Sequence, residues 1–374
     1  MEIALVARIA TVLYVNKAEH GSRTPRVYLE EQGMALRIAI NGYGRIGRCF
    51  LRALMVSPLR SKFTVVAINE PADLESMAYL TRFDSTHGCF PGVVEVGDGC
   101  LRIDGADIPV FHVSTPGGVD WASLGVDLLI EASGQYSCRH ELEAFLDAGC
   151  CRVLLSHPGL SAADVDQTIV FGMNHHLLDG DERIVSAASC TTNAIVPVLA
   201  MLDEAYGLDH ALLTTLHSVM NDQPLIDGYH HSDLHRTRSA MQSMIPVSTG
   251  LARGVVRLLP ELAGRIEAKA IRVPVVNVSA IDLVVTLRRQ TTVEEVKALL
   301  RAAADGHDSG RMSYTDAPHA SIDFNHSVHS AIVDAGQTRM SGGRLLNLLI
   351  WFDNEWGFAN RMLDVAAFWG ERMR

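Results

Sequence analysis

Residues 36–47 constrain the architecture of this chain more than any other stretch. Leu36-Arg37-Ile38-Ala39-Ile40 reads as a short buried strand, and Asn41-Gly42-Tyr43-Gly44-Arg45-Ile46-Gly47 follows at once. This is a G-x-G-x-x-G turn opening a helix that runs through Leu51 and Leu54 towards Pro58. Gly42 permits the tight turn, Gly44 lets the backbone approach a pyrophosphate, and Gly47 allows the helix to pack closely. Phosphates would rest on the helix N-terminus, where free N–H groups and the helix dipole favour anions. Such a glycine pattern alone is a weak signal. Here it has the strand before it and the helix after it that the reading requires.

A second strand, Thr64 to Ile68, ends at Asn69-Glu70. Glu70 stands about twenty residues past the last glycine, where a carboxylate can accept hydrogen bonds from ribose hydroxyls and repel a 2′-phosphate. The alternative is a solvated strand end. The spacing favours a dinucleotide, and NAD over NADP. Val126 to Glu131 reads as a further strand running into Ala132-Ser133-Gly134, and Val153-Leu154-Leu155-Ser156 as one more. Between them, Arg139 to Ala148 reads as a helix. Strands alternating with helices predict a doubly wound parallel sheet, which binds ligands at its carboxyl edge.

Past residue 189 the pattern changes. Cys190 lies in Ala188-Ser189-Cys190-Thr191-Thr192-Asn193, ahead of the apolar run Ala194-Ile195-Val196. This places a thiol in the first turn of a helix, where negative charge is favoured, so a nucleophilic thiolate is expected. A capped helix that merely begins with Cys fits the local sequence as well. Ala211 to Leu216 reads as a strand ending at His217, followed by a long polar stretch from Ser218 to about Ser243. A loop of that length is usually functional. Further strands are expected at Ala268–Val273, Val278–Leu287, Ala331–Val333 and Leu345–Trp351, with a helix over Thr292–Ala304. Phe358, Met362, Val365 and Trp369 mark the apolar face of a final helix.

Composition sets the outer limits. The 374 residues suffice for two domains, 48% of them are hydrophobic and 20% charged. A net charge of −11 argues against nucleic acid or an anionic membrane as main partner. Seven irregularly spaced cysteines make no disulfide framework, so a reducing cytoplasm is the expected home. No stretch is long and apolar enough to span a bilayer. The clusters His175-His176 and His230-His231 with His235 do not read as a metal site, because no carboxylate-and-histidine signature accompanies them. Residues 1–33 read as a loose extension, Met34 being a candidate start; a targeting segment is the alternative.

Four motifs in order carry a resemblance: Asn41 to Gly47; Ser189 to Asn193; Arg272-Val273-Pro274 with Asn277-Val278-Ser279; and Trp351-Phe352-Asp353-Asn354-Glu355-Trp356-Gly357. From about residue 35 onward the chain resembles the glyceraldehyde-3-phosphate dehydrogenase superfamily. The stretches His217-Ser218-Val219-Met220-Asn221-Asp222-Gln223, Asp323 to His326, His329 to Asp334 and Ser156-His157-Pro158-Gly159 are more similar to its erythrose-4-phosphate dehydrogenase branch. The resemblance implies a Rossmann doubly wound sheet over residues 34–189, completed by the C-terminal helix 356–374, and an α+β catalytic domain with a mixed sheet over 190–355. It implies Cys190 as nucleophile and His217 as base, the His217 imidazolium also stabilising the thiolate. NAD would be held by Gly42, Gly44, Arg45, Ile46, Gly47, Glu70, Ser133, Gly134 and Asn354. Arg272 would take the substrate phosphate, while Ser189, Thr191, Thr249, Gly250 and Arg236 form the remaining anion contacts. It further implies a sugar-phosphate aldehyde as substrate, a thioester hydrolysed by water, a place in pyridoxal phosphate synthesis, and a homotetramer. Two departures stand out. Met220 replaces a Thr whose hydroxyl contacts phosphate in the glyceraldehyde-phosphate enzymes, and His235 replaces an Arg beside Arg236. The alternative expectation is a phosphorylating glyceraldehyde-3-phosphate dehydrogenase.

Overall fold

The structure, a computed structural model, describes residues 35–306, 308 and 310–373. The expectations for residues 1–33 lie outside them. The chain forms two large sheets. The first contains β1 (Leu36–Asn41), β2 (Phe63–Asn69), β3 (Val94–Val96), β4 (Cys100–Ile103), β5 (Ala106–Phe111), β6 (Leu128–Glu131), β7 (Val153–Leu155), β8 (Gln167–Thr168) and β9 (Ile184–Ser186), in spatial order β8-β9-β7-β6-β1-β2-β5-β4-β3. Pairing is parallel from β8 across to β5, and β4 and β3 add an antiparallel edge. The expected strand 126–131 begins two residues later, at Leu128; Val126 N–H turns back to the Trp121 oxygen, while Asp127 already bonds to Arg37 of β1.

Helices cover both faces. Ile38 and Ile40 of β1 face a core built with Phe50 and Leu54 of α1 (Arg45–Val56) and Met362 and Trp369 of α7 (Trp356–Arg372). Ala39 points the other way, to a core with Leu142 and Phe145 of α3 (Arg139–Asp147). A third helix, α2 (Leu74–Arg82), is capped by Asp73. The sequence presents α7 as amphipathic, yet it is buried nearly all round, because it returns to pack on α1.

The chain steps from β1 outward to β2 and β5, then back to β6 on the other side of β1. That reversal is the switch point at which such sheets open a crevice. Gly42 closes it: with φ +87°, a Cβ there would lie 2.3 Å from the Ser133 nitrogen. Only glycine lets the two strand exits touch.

The second sheet contains β10 (Leu208–His217), β11 (Ile245–Val247), β12 (Ile266–Arg272), β13 (Ser279–Leu287), β14 (Met312–Thr315), β15 (Ala331–Ser341) and β16 (Leu345–Phe352), in order β11-β12-β10-β13-β16-β15-β14. It mixes parallel and antiparallel pairs. Its core includes α4 (Cys190–Tyr206), α5 (Leu251–Leu258) and α6 (Val293–Asp305). Pro197 sits inside α4 without ending it. Among the described residues no helix is long and apolar enough to cross a membrane.

Candidate functional site

The ends of both sheets meet at a cleft. Its inner part, about 230 Å³, is lined by Gly42, Gly44, Glu70, Ser133 and their neighbours. A larger part of about 520 Å³ is lined by Gly44, Arg45, Ile46, Ser133, Ser189, Cys190, His217, Met220 and Asn354 among others. The two share Gly44, Ala132 and Ser133. Most residues anticipated from the sequence therefore line one continuous trough from the carboxyl edge of the first sheet to Cys190.

In the inner part, α1 starts at Gly44 with no side chain capping it, so its first N–H groups remain available to an anion. A Cβ on Gly44 would meet nothing within 4 Å, whereas one on Gly47 would lie 2.1 Å from the Gly42 oxygen. Gly44 is thus bare towards the cleft, and Gly47 serves packing. Glu70 accepts hydrogen bonds from the Tyr43 nitrogen at 2.7 Å and the Ala72 nitrogen at 3.3 Å. These fix the carboxylate beside the glycine turn. Gly134 takes φ +71° just beyond Ser133. One organising residue was not foreseen. Glu131, buried at the end of β6, accepts from Asn41 at 2.5 Å and from the Ser133 nitrogen at 2.8 Å. Burial raises its pKa against those bonds. A carboxylate ending an apolar strand just before Ser133 was the available signal.

Arg45 bridges the two sheets' loops. It donates to Asp84 at 2.5 Å and to Glu355 through Nε at 2.8 Å. Burial opposes its charge, but Glu355 and Asp84 outweigh burial and raise its pKa. Asp84 is held down at about 2, Arg45 and backbone N–H groups overcoming the effect of burial. Behind it His87 contacts Asp353 at 3.3 Å, and Asn277 donates to the same carboxylate at 2.9 Å. Cys49, His87 and Glu355 place donor atoms within 4.8 Å of one another. Arg45 already occupies Glu355, and burial keeps the Cys49 thiol protonated, so the group serves as a polar joint. The histidine clusters are engaged elsewhere: His175 packs on Phe171 and Phe368, and His235 pairs with Asp233.

Asn354 lies at the end of β16. Its side-chain oxygen accepts from Ser218 at 2.9 Å and Ser279 at 2.8 Å. The oxygen being taken, the NH₂ group is left for the cleft, ready to donate to a carboxamide oxygen. Neither serine was expected in the site, although both stand inside the motifs that carry the resemblance, beside His217 and Val278.

Cys190 is the first residue of α4, and Ser189 caps that helix by accepting from the Thr192 nitrogen at 3.1 Å. Ala188 turns the chain into the cap at φ +60°, a strained conformation for a residue with a Cβ. Asn193 holds that turn by donating to Ala187 and Ser189 oxygens, each at 2.9 Å. The Cys190 sulfur lies 3.9 Å from His217 Nε2. Two shifts in the site run against the expected thiolate–imidazolium pair. Burial pushes the Cys190 thiol up to about 11, outweighing the helix N–H groups and Arg272, which favour the thiolate. Burial and then Arg272 push His217 down to about 4. The helix N-terminus acts in the expected direction, but desolvation is the larger effect.

His217 ends β10 and Arg272 ends β12. The parallel register pairs them directly, and Arg272 Nη1 lies 2.9 Å from His217 Nδ1. Arg272 also approaches Asp222 at 4.0 Å, and Asp222 accepts from Arg236 at 2.8 Å. Arg236 thus reaches the site only through Asp222. Thr249 and Gly250 precede α5, where the Thr249 hydroxyl accepts from the Leu251 nitrogen at 3.2 Å. The Thr191 hydroxyl bonds to Ser189 at 3.0 Å. None of Thr191, Arg236, Thr249, Gly250 or Arg272 is among the residues lining the cleft proper.

The low His217 pKa has a consequence for stability. From its ordinary 6.5 down to about 4, the unfolded chain takes up a proton that the native His217 refuses. Stability therefore falls as pH falls through that window and is unaffected above it. Between pH 7 and 5, the wild type should lose about 2 kcal/mol more than His217→Asn. Urea unfolding of both at the two pH values checks this, and equal losses would refute it.

The sequence matches the family model described as glyceraldehyde 3-phosphate dehydrogenase, NAD binding domain, over residues 36–139. It matches the companion model, glyceraldehyde 3-phosphate dehydrogenase, C-terminal domain, over residues 189–354. The first contains the glycine turn and Glu70, the second Cys190, His217, Arg272 and Asn354. Because both models belong to one family and between them take in most of the trough, the chain belongs to the glyceraldehyde 3-phosphate dehydrogenase family and is an NAD-dependent dehydrogenase.

Proposed function

We propose that the protein oxidises D-erythrose 4-phosphate to 4-phospho-D-erythronate with NAD, through a thioester on Cys190 that water hydrolyses. The observation that carries this reading is Met220. It lines the cleft and is 45% exposed, at the position where the glyceraldehyde-phosphate enzymes typically have a threonine. A thioether offers no hydrogen-bond donor to phosphate. The remaining anion ligands point the same way: Arg236 is committed to Asp222, and the Ser189, Thr191 and Thr249 hydroxyls to one another or to the backbone. Such partners weaken a seat for inorganic phosphate as the second nucleophile and leave water to do that work.

In this reading Gly42 and Gly44 with the α1 N-terminus at Arg45 and Ile46, packed in place through Gly47, hold the pyrophosphate, Glu70 the ribose and Asn354 the nicotinamide, with Ser133 and Gly134 as further cofactor contacts. NAD supplies the hydride acceptor. The chain's own residues do the rest. The thiol proton passes from Cys190 to His217 Nε2 as sulfur bonds to the aldehyde carbon, and the carbonyl oxygen takes that proton, giving a hemithioacetal. His217 then withdraws the hydroxyl proton, and the O–H electron pair becomes the second carbon–oxygen bond of the thioester as the hydride leaves that carbon. Once that proton has passed to solvent, His217 removes a proton from the water that bonds to the thioester carbon; the C–S bond then breaks and the Cys190 sulfur leaves with its electron pair, taking the proton back from His217. Arg272 takes the substrate phosphate.

A homotetramer in the cytoplasm, feeding pyridoxal phosphate synthesis, completes the proposal. Leu225 and Ile226 in the 218–244 stretch are 71% and 74% exposed, which suits a subunit contact. The phosphorylating glyceraldehyde 3-phosphate reaction is the second reading, favoured by retention of Thr191, Arg236 and Thr249. NADH formation with each aldehyde phosphate, with and without inorganic phosphate, separates them. Turnover of erythrose 4-phosphate that ignores phosphate is expected; a phosphate-dependent preference for glyceraldehyde 3-phosphate would reverse the assignment.

A further inference from the structure

We infer that Arg272 holds His217 unable to accept a proton from Cys190 until a phosphate dianion draws the guanidinium away, so that the substrate's own phosphate switches on the catalytic base. The inference rests on the reading of Arg272 as phosphate ligand and His217 as base. It deepens that reading by coupling the two groups.

The geometry allows His217 Nδ1 only one of two partners. Arg272 Nη1 lies 2.9 Å from Nδ1, and the Ser218 carbonyl oxygen lies 2.8 Å from it. A guanidinium only donates and a carbonyl only accepts. With Arg272 in place, Nδ1 must present its lone pair, so the ring's single proton sits on Nε2, facing the Cys190 sulfur at 3.9 Å. A nitrogen that already bears hydrogen cannot take the thiol proton. Adding a proton at Nδ1 instead would set two donors, both charged, 2.9 Å apart. With Arg272 withdrawn, Nδ1–H donates to the Ser218 oxygen and Nε2 turns its lone pair to sulfur.

Arg272 is suited to leave. It is buried, yet its Nε has no partner among the described residues, its Asp222 contact is 4.0 Å, and its second bond, to the Ser218 oxygen, is long at 3.3 Å. A phosphate would offer it several charge-assisted bonds at once. The strand register that pairs His217 with Arg272 builds the device into the sheet.

Alkylation of Cys190 by iodoacetamide reads the switch without NAD or aldehyde. Sulfur bonds to the methylene carbon, iodide leaves with the C–I electron pair, and the thiol proton goes to Nε2 and then to solvent. Methyl phosphate, too small to reach across the cleft, serves as the dianion. It should accelerate alkylation of the full-length protein at pH 7 at least about a hundredfold, the lower end of general-base assistance. Arg272→Met should alkylate fast without it and gain nothing from it. If Arg272 acted only through its charge, both signs would invert: the dianion and the substitution would each slow the reaction. Methyl phosphate that binds by calorimetry but leaves the wild-type rate unchanged or lower overturns the switch and spares the phosphate site. No binding at all overturns both. Should Arg272→Met fail to fold, the wild-type titration decides alone.

Discussion

Cys190→Ser is expected to lower aldehyde oxidation by at least about a thousandfold while leaving NAD affinity within about twofold. The argument is chemical first. A hydroxyl is a far weaker acid than a thiol and its oxygen a poorer carbonyl nucleophile than sulfur, so a serine 3.9 Å from His217 presents far less of the attacking anion. The structural argument secures the second half. Cys190 is partly exposed, Ser189 caps α4 independently of it, and the glycine turn is built from β1 and α1. The fold and the coenzyme trough should therefore survive. Pre-steady-state NADH formation and NAD titration by fluorescence check the two halves separately. Turnover above a few per cent of wild type would mean that sulfur is not the nucleophile. Lost NAD binding would mean that the substitution had disturbed the cleft itself.

What could be read in advance followed the range of the interaction. The glycine turn, Glu70, the start of α4 at Cys190 and the end of β10 at His217 are local patterns, fixed by turn, cap and strand signals within a few residues. The β3–β5 edge was missed although its turn is local too: Asp104-Gly105, both at positive φ, joins Cys100–Ile103 to Ala106–Phe111 as a hairpin. The burial of α7 could not be read because its second face is covered by α1, far away in sequence. Desolvation is non-local in the same way. The helix N-terminus beside Cys190 was visible, but the atoms that surround the sulfur come from several elements, and their effect prevails. The pairing of His217 with Arg272 depends on strand register, and the joint of Arg45, Asp84, His87, Asp353 and Glu355 assembles from three separate stretches. No periodicity announces either.

The glycine turn offers the sharpest separation of folding from binding. Gly42→Ala should lower stability by about 2–5 kcal/mol and with it all NAD binding. It adds left-handed strain of about 1–2 kcal/mol to an overlap that neither side can relieve, since the Cβ would lie 2.3 Å from Ser133 backbone at φ +87°. Gly47→Ala belongs to the same class, its Cβ falling 2.1 Å from the Gly42 oxygen. Gly44→Ala differs in kind. Its φ of −70° suits alanine, and nothing lies within 4 Å of the added carbon, so melting should shift by no more than a degree or two. Yet Gly44 lines both parts of the cleft, and a methyl there stands between the α1 N–H groups and the pyrophosphate they are to bind. NAD affinity should fall at least about tenfold, a loss of roughly 1.4 kcal/mol or more. Paired thermal melts and NAD titrations distinguish the three variants. A Gly44→Ala protein that melts normally and binds NAD as tightly as wild type would move the pyrophosphate off this turn, whatever Gly42→Ala does to the fold.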